Sequence, residues 1–290
     1  MALGAKGLDI IFDLYQRDFF KNIKSVMDMG DQDMFITFDE IKKKFKENNI
    51  HFEEKNWEYA KKFPTRPRVS TSVFWNALGI KSASRLDIRP SSDRDKNDNS
   101  NLIIHDLNYP FEKKELFGKY DLVTDIGNNE HPFNIVEAYR TMHNLCSKNG
   151  YMIIYQAYLK GNGFYQFDDS TIDNVAAVNN YSIIHSCFVI NQDKKSFTLP
   201  LDESYLQLIN LNNLSLIGIF YVLKKNSDEE FKLPYQGTGK SPIVKEFYTL
   251  NTTYKNKLPE NSYIPHSIDK IKTNVLIKQI FKRIINKFKK

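Results

Sequence analysis

Glu130 and His131 stand side by side where the apolar run of VTDIGNNEH, residues 123–131, gives way to small and polar residues. A histidine, with an ordinary pKa of about 6.5, can take a proton from a hydroxyl near neutrality, and an adjoining carboxylate can orient it or hold the hydroxyl. The local alternative is that NNEHP caps the helix that follows, with Asn129 or Glu130 serving free backbone amides and His131 packed on the sheet. Other acids close other apolar runs. Asp28 precedes Gly30, Asp31 and Gln32 in DMGDQD, Asp87 precedes Ile88, Asp106 precedes Leu107, and Asp125 precedes Gly127. Carboxylates accept hydrogen bonds, so acids gathered along one rim suit a nucleoside with its hydroxyls and exocyclic amine. Turn-forming roles remain the alternative for Asp28, Asp87 and Asp106.

Such a rim exists only if the chain brings the ends of its apolar runs together. From about residue 23 to residue 224, strand-like runs alternate with helical patterns, which predicts a parallel α/β sheet. IKSVMDMG reads as a strand ending at Gly30. TFDEIKKKFKENN places a threonine three residues before Glu40, a capping box, with Ile41 and Phe45 four apart, and so predicts a helix. After the Pro- and Arg-rich KKFPTRPRVS, a candidate lid, TSVFWNALGI predicts a helix and SASRLDI a strand. RPSSDRDKNDNS has no apolar residue and reads as a solvated loop. NLIIHDL and YDLVTDI follow as strands, then the helix IVEAYRTMHNLCSKNG with its terminal glycine, and the strand YMIIYQAYL. YSIIHSCFVIN and LIGIFYVLKK supply two more strands, with either a parallel or an antiparallel return between them. In an open sheet of this kind ligands bind beyond the carboxyl ends of the strands, where strand order reverses.

In that order the motifs resemble those of the class I methyltransferases, which use S-adenosylmethionine (SAM), over about residues 23–224. VMDMGDQD stands where the family's first-strand glycine loop lies, LDI where a ribose-binding acid follows the second strand, and HDLNYP where an acid faces the adenine amine. YDLVTDIGNNEHPFN resembles the fourth-strand motif and HNLCSKNGYMIIYQ the helix, turn and fifth strand. GNGFYQFDDSTIDNVAAVNNYSII is similar to a segment of members that modify surface glycans and small metabolites. The resemblance implies a Rossmann-like, open, mostly parallel seven-stranded sheet with helices on both faces. It implies SAM held by Asp28, Gly30, Asp31, Gln32, Asp87, Ile88, Asp106, Leu107, Asp125 and Gly127. It also implies methylation of a small polar acceptor such as a sugar or glycan precursor, at a hydroxyl with His131 as base and Glu130 beside it, with a nitrogen acceptor as the alternative. No metal is called for. Asp28 and Asp87 lie 87 − 28 = 59 residues apart, so residues 46–72 are read as an insertion looped out of the domain, which spans residues 1–225.

Other classes fit less well. A non-catalytic binding or scaffold protein that keeps the fold is the alternative, favoured by the single glycine of DMGDQDM. A nicotinamide-dependent oxidoreductase is disfavoured, because no G-x-G-x-x-G follows any predicted strand. The formal charge of +6 comes from 41 basic and 35 acidic residues that are largely interspersed, with much of the excess near the C-terminus. Nucleic acid is therefore not an expected partner. Two cysteines, Cys146 and Cys187, form no metal-ligand cluster and suit a reducing cytoplasm. Asp9, Asp13 and Asp18 interrupt the first apolar stretch, unlike a secretory signal, and no run is long enough to span a membrane. In the extension 226–290, Ile277, Ile280, Phe281, Ile284, Ile285 and Phe288 make one apolar stripe on a basic helix. Docking on its own domain or a second subunit, and peripheral attachment to an anionic membrane, are the two readings of that stripe.

Overall fold

Period-2 burial along the central strands shows how the layers form. On the first long strand Val26 faces one apolar cluster while Met27 and Met29 face another, so helices must cover both sides of the sheet. The computed structural model describes residues 3–58, 61, 69–89, 101–192, 195–209 and 213–235. In chain order the elements are β1 (Leu3–Gly4), α1 (Ala5–Gln16), β2 (Ser25–Met29), β3 (Asp33–Phe35), α2 (Phe38–Glu47), β4 (Val69–Ser70), α3 (Thr71–Ala77), β5 (Ser82–Asp87), β6 (Asn101–Ile104), β7 (Tyr120–Ile126), α4 (Ile135–Leu145), β8 (Cys146–Leu159), α5 (Asp169–Val178), β9 (Tyr181–Gln192), β10 (Lys195–Pro200) and β11 (Leu214–Lys225).

The main sheet has the order β6-β5-β2-β7-β8-β11-β9-β10. β6, β5, β2, β7 and β8 pair in parallel, whereas β11 runs antiparallel between β8 and β9, and β10 pairs antiparallel with β9. This is a mixed α/β fold with a large, mostly parallel sheet. Its parallel part has the doubly wound order, reversing at β2 and β7, and β11 wedged beside β8 departs from the dinucleotide-binding arrangement. The expectation of seven strands is corrected to eight in this sheet among the described residues. β10 was missed because only Phe197 and Leu199 mark its core side, and its burial comes from the hairpin with β9. A small sheet of β1, β3 and β4 and helix α1 were also not anticipated. α1 buries Leu8, Ile11 and Phe12 against the same face as α2 and α3.

Two local expectations are corrected by tertiary contacts. The helix read through Gly150 stops at Leu145, because Cys146 is extended and pairs with Tyr120 at the start of β8. Lys225 of β11 then donates its ammonium to the carbonyls of His143 (2.9 Å) and Cys146 (3.0 Å), meeting acceptors that a helix end leaves open. Gly150 instead answers a close approach, since a Cβ there would lie 2.7 Å from Ser147 Oγ and 2.8 Å from its carbonyl oxygen. Second, the described part of the 46–72 insertion is not looped out. Thr37 caps α2 with both bonds of the expected box, and the chain beyond it packs Trp57 against Phe45 (5.7 Å) and stacks it on Phe52 (5.4 Å). Most of the candidate lid, the loop at 90–100 and the C-terminal helix lie outside the described residues. No described helix is long and apolar enough to cross a membrane. The described residues hold no group of three side chains suited to a metal.

The core also carries two neutral histidines. Burial, and then the charge of Lys225, pushes His143 down to about 4, and burial with Arg17 does the same to His185. The unfolded chain, with histidines near 6.5, binds more protons between those values. Stability is therefore complete above pH 6.5 and lost as the pH falls toward 4, by on the order of 3 kcal/mol per histidine. Asp125, raised to about 7 by burial, works in the opposite sense over roughly the same range. Two groups outweigh one, so urea unfolding should show a net loss of stability from pH 7 to pH 4.5, and His185→Leu should remove a large part of it.

Candidate functional site

The carboxyl ends of β2, β5, β6 and β7 meet at one edge of the sheet. A cavity of about 160 Å³ opens there, lined by Asp87, Ile88, Asp106 and Leu107 on one side and Asn128 and His131 on the other. Gly30, at φ +86°, turns the chain out of β2, and its N–H bonds the carbonyl of Leu86 at 2.6 Å. A Cβ at residue 30 would stand 2.5 Å from Asn128 Oδ1, so a side chain is barred both by backbone conformation and by space.

Asp87 ties the rim together. One carboxylate oxygen accepts the N–H of Asp31 at 2.7 Å and the other that of Arg89 at 3.2 Å, while the Asp31 carboxylate pairs with Arg85 at 3.1 Å. Asp106 accepts the backbone and side-chain N–H of Asn108, both at 2.9 Å, and forms a local turn. Asn108 in turn bonds Asn134 twice and so joins the β6 and β7 loops. Ile88 is 60% exposed and supplies an apolar wall, with the buried Leu107 opposite the solvent.

Three residues expected on the rim lie beneath it. Asp28 is 3% exposed, and its carboxylate accepts the hydroxyls of Thr71 and Thr124, each at 2.5 Å, and the indole N–H of Trp75 at 3.1 Å. Gln32 donates to the carbonyls of Met29 and Thr124. Asp125 is fully buried and accepts the N–H groups of Asn128 (3.1 Å) and Asn129 (3.0 Å) together with the amide of Gln156. Their lone pairs and donors bond the framework of the sheet and its loops, and none of the three lines the cavity. Gly127, at φ +68°, bonds Tyr155 and completes the turn that Asp125 organises.

Glu130 and His131 follow that turn. Glu130 is fully buried under the loop after β8, where Gly163 lies so near that a Cβ would be 2.4 Å from the Glu130 carbonyl oxygen. One of its carboxylate oxygens is 3.4 Å from the N–H of Ala157, and the other is 3.6 Å from His131 Nε2, beyond hydrogen-bond reach. The His131 side chain is 45% exposed and lines the cavity. The capping alternative does not hold, because Asn134 is the N-cap residue of α4 and makes no side-chain cap bond.

Buried polar atoms without a hydrogen-bond partner gather at this place: Asn128 Nδ2, both amide atoms of Asn129, Glu130 Oε1 and Gln156 Oε1. Such groups are costly to leave unmet, and here they lie beside the cavity that Asn128 and His131 line. Asn128 was not singled out from sequence, and Asn129 was named only as a candidate cap for the following helix. The asparagine pair after a predicted strand, beside the Glu-His pair, was the available signal.

The cavity is smaller than the roughly 300 Å³ at which small-molecule pockets begin. It has room for a nucleobase, and a larger ligand reaches the end of β2 only if the Asn128 side chain swings off Gly30. The lining fits a nucleoside at that scale: carboxylates of Asp87 and Asp106 to accept from hydroxyl or amine donors, and Ile88 and Leu107 for the flat face.

No family model and no curated protein matches the sequence. Among solved structures the chain is similar to the 1,6-didemethyltoxoflavin N1-methyltransferase of Burkholderia thailandensis, crystallised with S-adenosylhomocysteine, at 7% identity and a TM-score of 0.40, covering 74% of this chain and 78% of that one. It is similar to StiE O-MT residues 961–1257 at 10% identity and a TM-score of 0.43, covering 89% and 83%. A SAM-dependent methyltransferase from Archaeoglobus fulgidus aligns at 14% identity and a TM-score of 0.35, covering 75% and 94%. Identities and scores this low leave the functional argument to the chain's own residues.

Proposed function

We propose that the protein is a SAM-dependent methyltransferase acting on the hydroxyl of a small polar acceptor, a sugar or sugar-linked intermediate among them. The observation that carries this reading is the rim at the strand-order reversal, where Gly30 turns over β2 and the Asp87 carboxylate clamps the loop after it. Asp87 would take the ribose hydroxyls, Asp106 the adenine amine, and Ile88 and Leu107 the base. Bound there, the cofactor would supply a methyl group on a positively charged sulfur, open to in-line displacement. The chain's part is to place the two reactants and exclude water. His131, with Nε2 turned to Glu130 at 3.6 Å, would accept the proton of the acceptor hydroxyl on Nδ1 as the oxygen–methyl bond forms and the carbon–sulfur bond breaks. Buried Glu130 would stabilise the imidazolium that results.

A second reading, a binding protein that has kept the fold without the reaction, is favoured by the Asn128 side chain lying over Gly30 and by the small cavity. A thermal shift with S-adenosylhomocysteine separates the two, because a ligand that binds only the folded state raises the melting temperature. We expect a shift with S-adenosylhomocysteine and none with NADH. Asp87→Ala should weaken binding by about 1–3 kcal/mol, roughly 5-fold to 150-fold in Kd by calorimetry. Absence of binding to the native protein defeats the enzyme reading.

A further inference from the structure

Phe133 and Phe164 are 73% and 72% exposed, among the most exposed large apolar side chains of the described residues. They are not on one loop. Phe133 follows β7 and Phe164 follows β8, yet their rings meet edge to face with centroids 5.8 Å apart. The two loops are stitched so that this meeting is held. Phe164 donates its N–H to the Glu130 carbonyl at 2.7 Å and Tyr165 does so at 3.3 Å, while the Tyr165 hydroxyl donates to the Phe133 carbonyl at 2.6 Å. Gly163 permits the approach, since a Cβ there would strike the Glu130 backbone.

An apolar pair kept in water by a fixed scaffold gains free energy when a ligand covers it. Its position is specific as well. Pro132 and His131, the residues just before Phe133, line the cavity, and the carbonyl of buried Glu130 anchors the loop that carries Phe164. A chain alcohol would gain little from two rings. A six-membered ring with an apolar face would gain from both.

We propose that Phe133 and Phe164 form the ring-binding part of the acceptor site, and that the acceptor is a hydroxyl-bearing six-membered ring with an apolar face. This rests on the methyltransferase reading and narrows it from small polar acceptors in general to ringed ones. Aryl hydroxyls and pyranosides share that chemistry and are separate arms of the test. Ring contacts of this kind are worth roughly a tenfold change in affinity.

The test uses the full-length protein and two readouts. The first is the thermal shift with S-adenosylhomocysteine, and the second is saturation-transfer NMR of catechol, methyl glucopyranoside and glycerol with the S-adenosylhomocysteine-loaded protein. We expect saturation of at least one ring probe and none of glycerol. The double variant Phe133→Ala/Phe164→Ala should weaken the ring probe at least tenfold with melting temperature and S-adenosylhomocysteine shift unchanged. Phe35→Ala, which removes an exposed phenylalanine on the small sheet, should leave the ring signal as it was. Saturation of catechol alone assigns an aryl acceptor, and of the pyranoside alone a sugar. Glycerol saturated as strongly as the rings, no ring saturated, or an undiminished signal in the double variant overturns the proposal while the S-adenosylhomocysteine shift stands. A native protein with no S-adenosylhomocysteine shift overturns the methyltransferase reading and the acceptor site with it.

Discussion

Asp28→Ala is expected to destabilise the fold by about 3–5 kcal/mol, a large share of the stability of an ordinary domain. The carboxylate is the common acceptor for Thr71 from α3, Trp75 from the same helix and Thr124 from β7. Removing it leaves two hydroxyls and an indole N–H without their partner in a dry place, at about 1–3 kcal/mol each, partly relieved where a hydroxyl turns to another acceptor. Asp28→Asn keeps one oxygen, and the threonine nearest the new amide can reverse its hydroxyl and accept, so it should cost less than half as much. Urea unfolding of the three proteins measures the difference. An alanine variant as stable as the native chain would show that these contacts are not held in solution.

Turnover carries the second large effect. His131→Ala should lower the rate of methyl transfer about a hundredfold to ten-thousandfold, the usual loss for a general base, while the Kd for S-adenosylhomocysteine stays within about twofold. The split follows from placement: the exposed imidazole follows β7, whereas the groups proposed to hold the cofactor, Asp87, Ile88, Asp106 and Leu107, stand at the end of β5 and just beyond β5 and β6. Glu130→Gln keeps the shape under Gly163 and removes the charge beside His131, so a smaller loss, about tenfold, is expected. Transfer of labelled methyl from SAM to the ring acceptor identified by NMR gives these rates. Unimpaired transfer by His131→Ala would leave this residue a lining group and move the search for the base to Glu130.

Period and end chemistry made most of the scaffold legible in the chain itself. The apolar runs of β2, β5, β7, β8, β9 and β11, the capping box at Thr37 and Glu40, and the acids and small residues at strand ends are local properties that read directly in sequence. They sufficed to place Asp87, Asp106 and His131 at one rim, because strand ends in a parallel sheet share an edge. Three-dimensional packing decided what those residues do. Asp28 and Asp87 look alike in the chain, each an acid ending an apolar run. One falls among Thr71, Trp75 and Thr124 and is consumed by the core, while the other lies on the cavity wall. The end of α4 depended on Lys225, 80 residues beyond Leu145 by their numbers (225 − 145 = 80), and on pairing of Cys146 with Tyr120. The proximity of Phe133 to Phe164 depended on hydrogen bonds between two loops. Helical and strand periods are set by neighbours a few residues apart, but a carboxylate's partners are set by whichever donors the fold brings within about 3 Å, and sequence spacing carries no record of that distance.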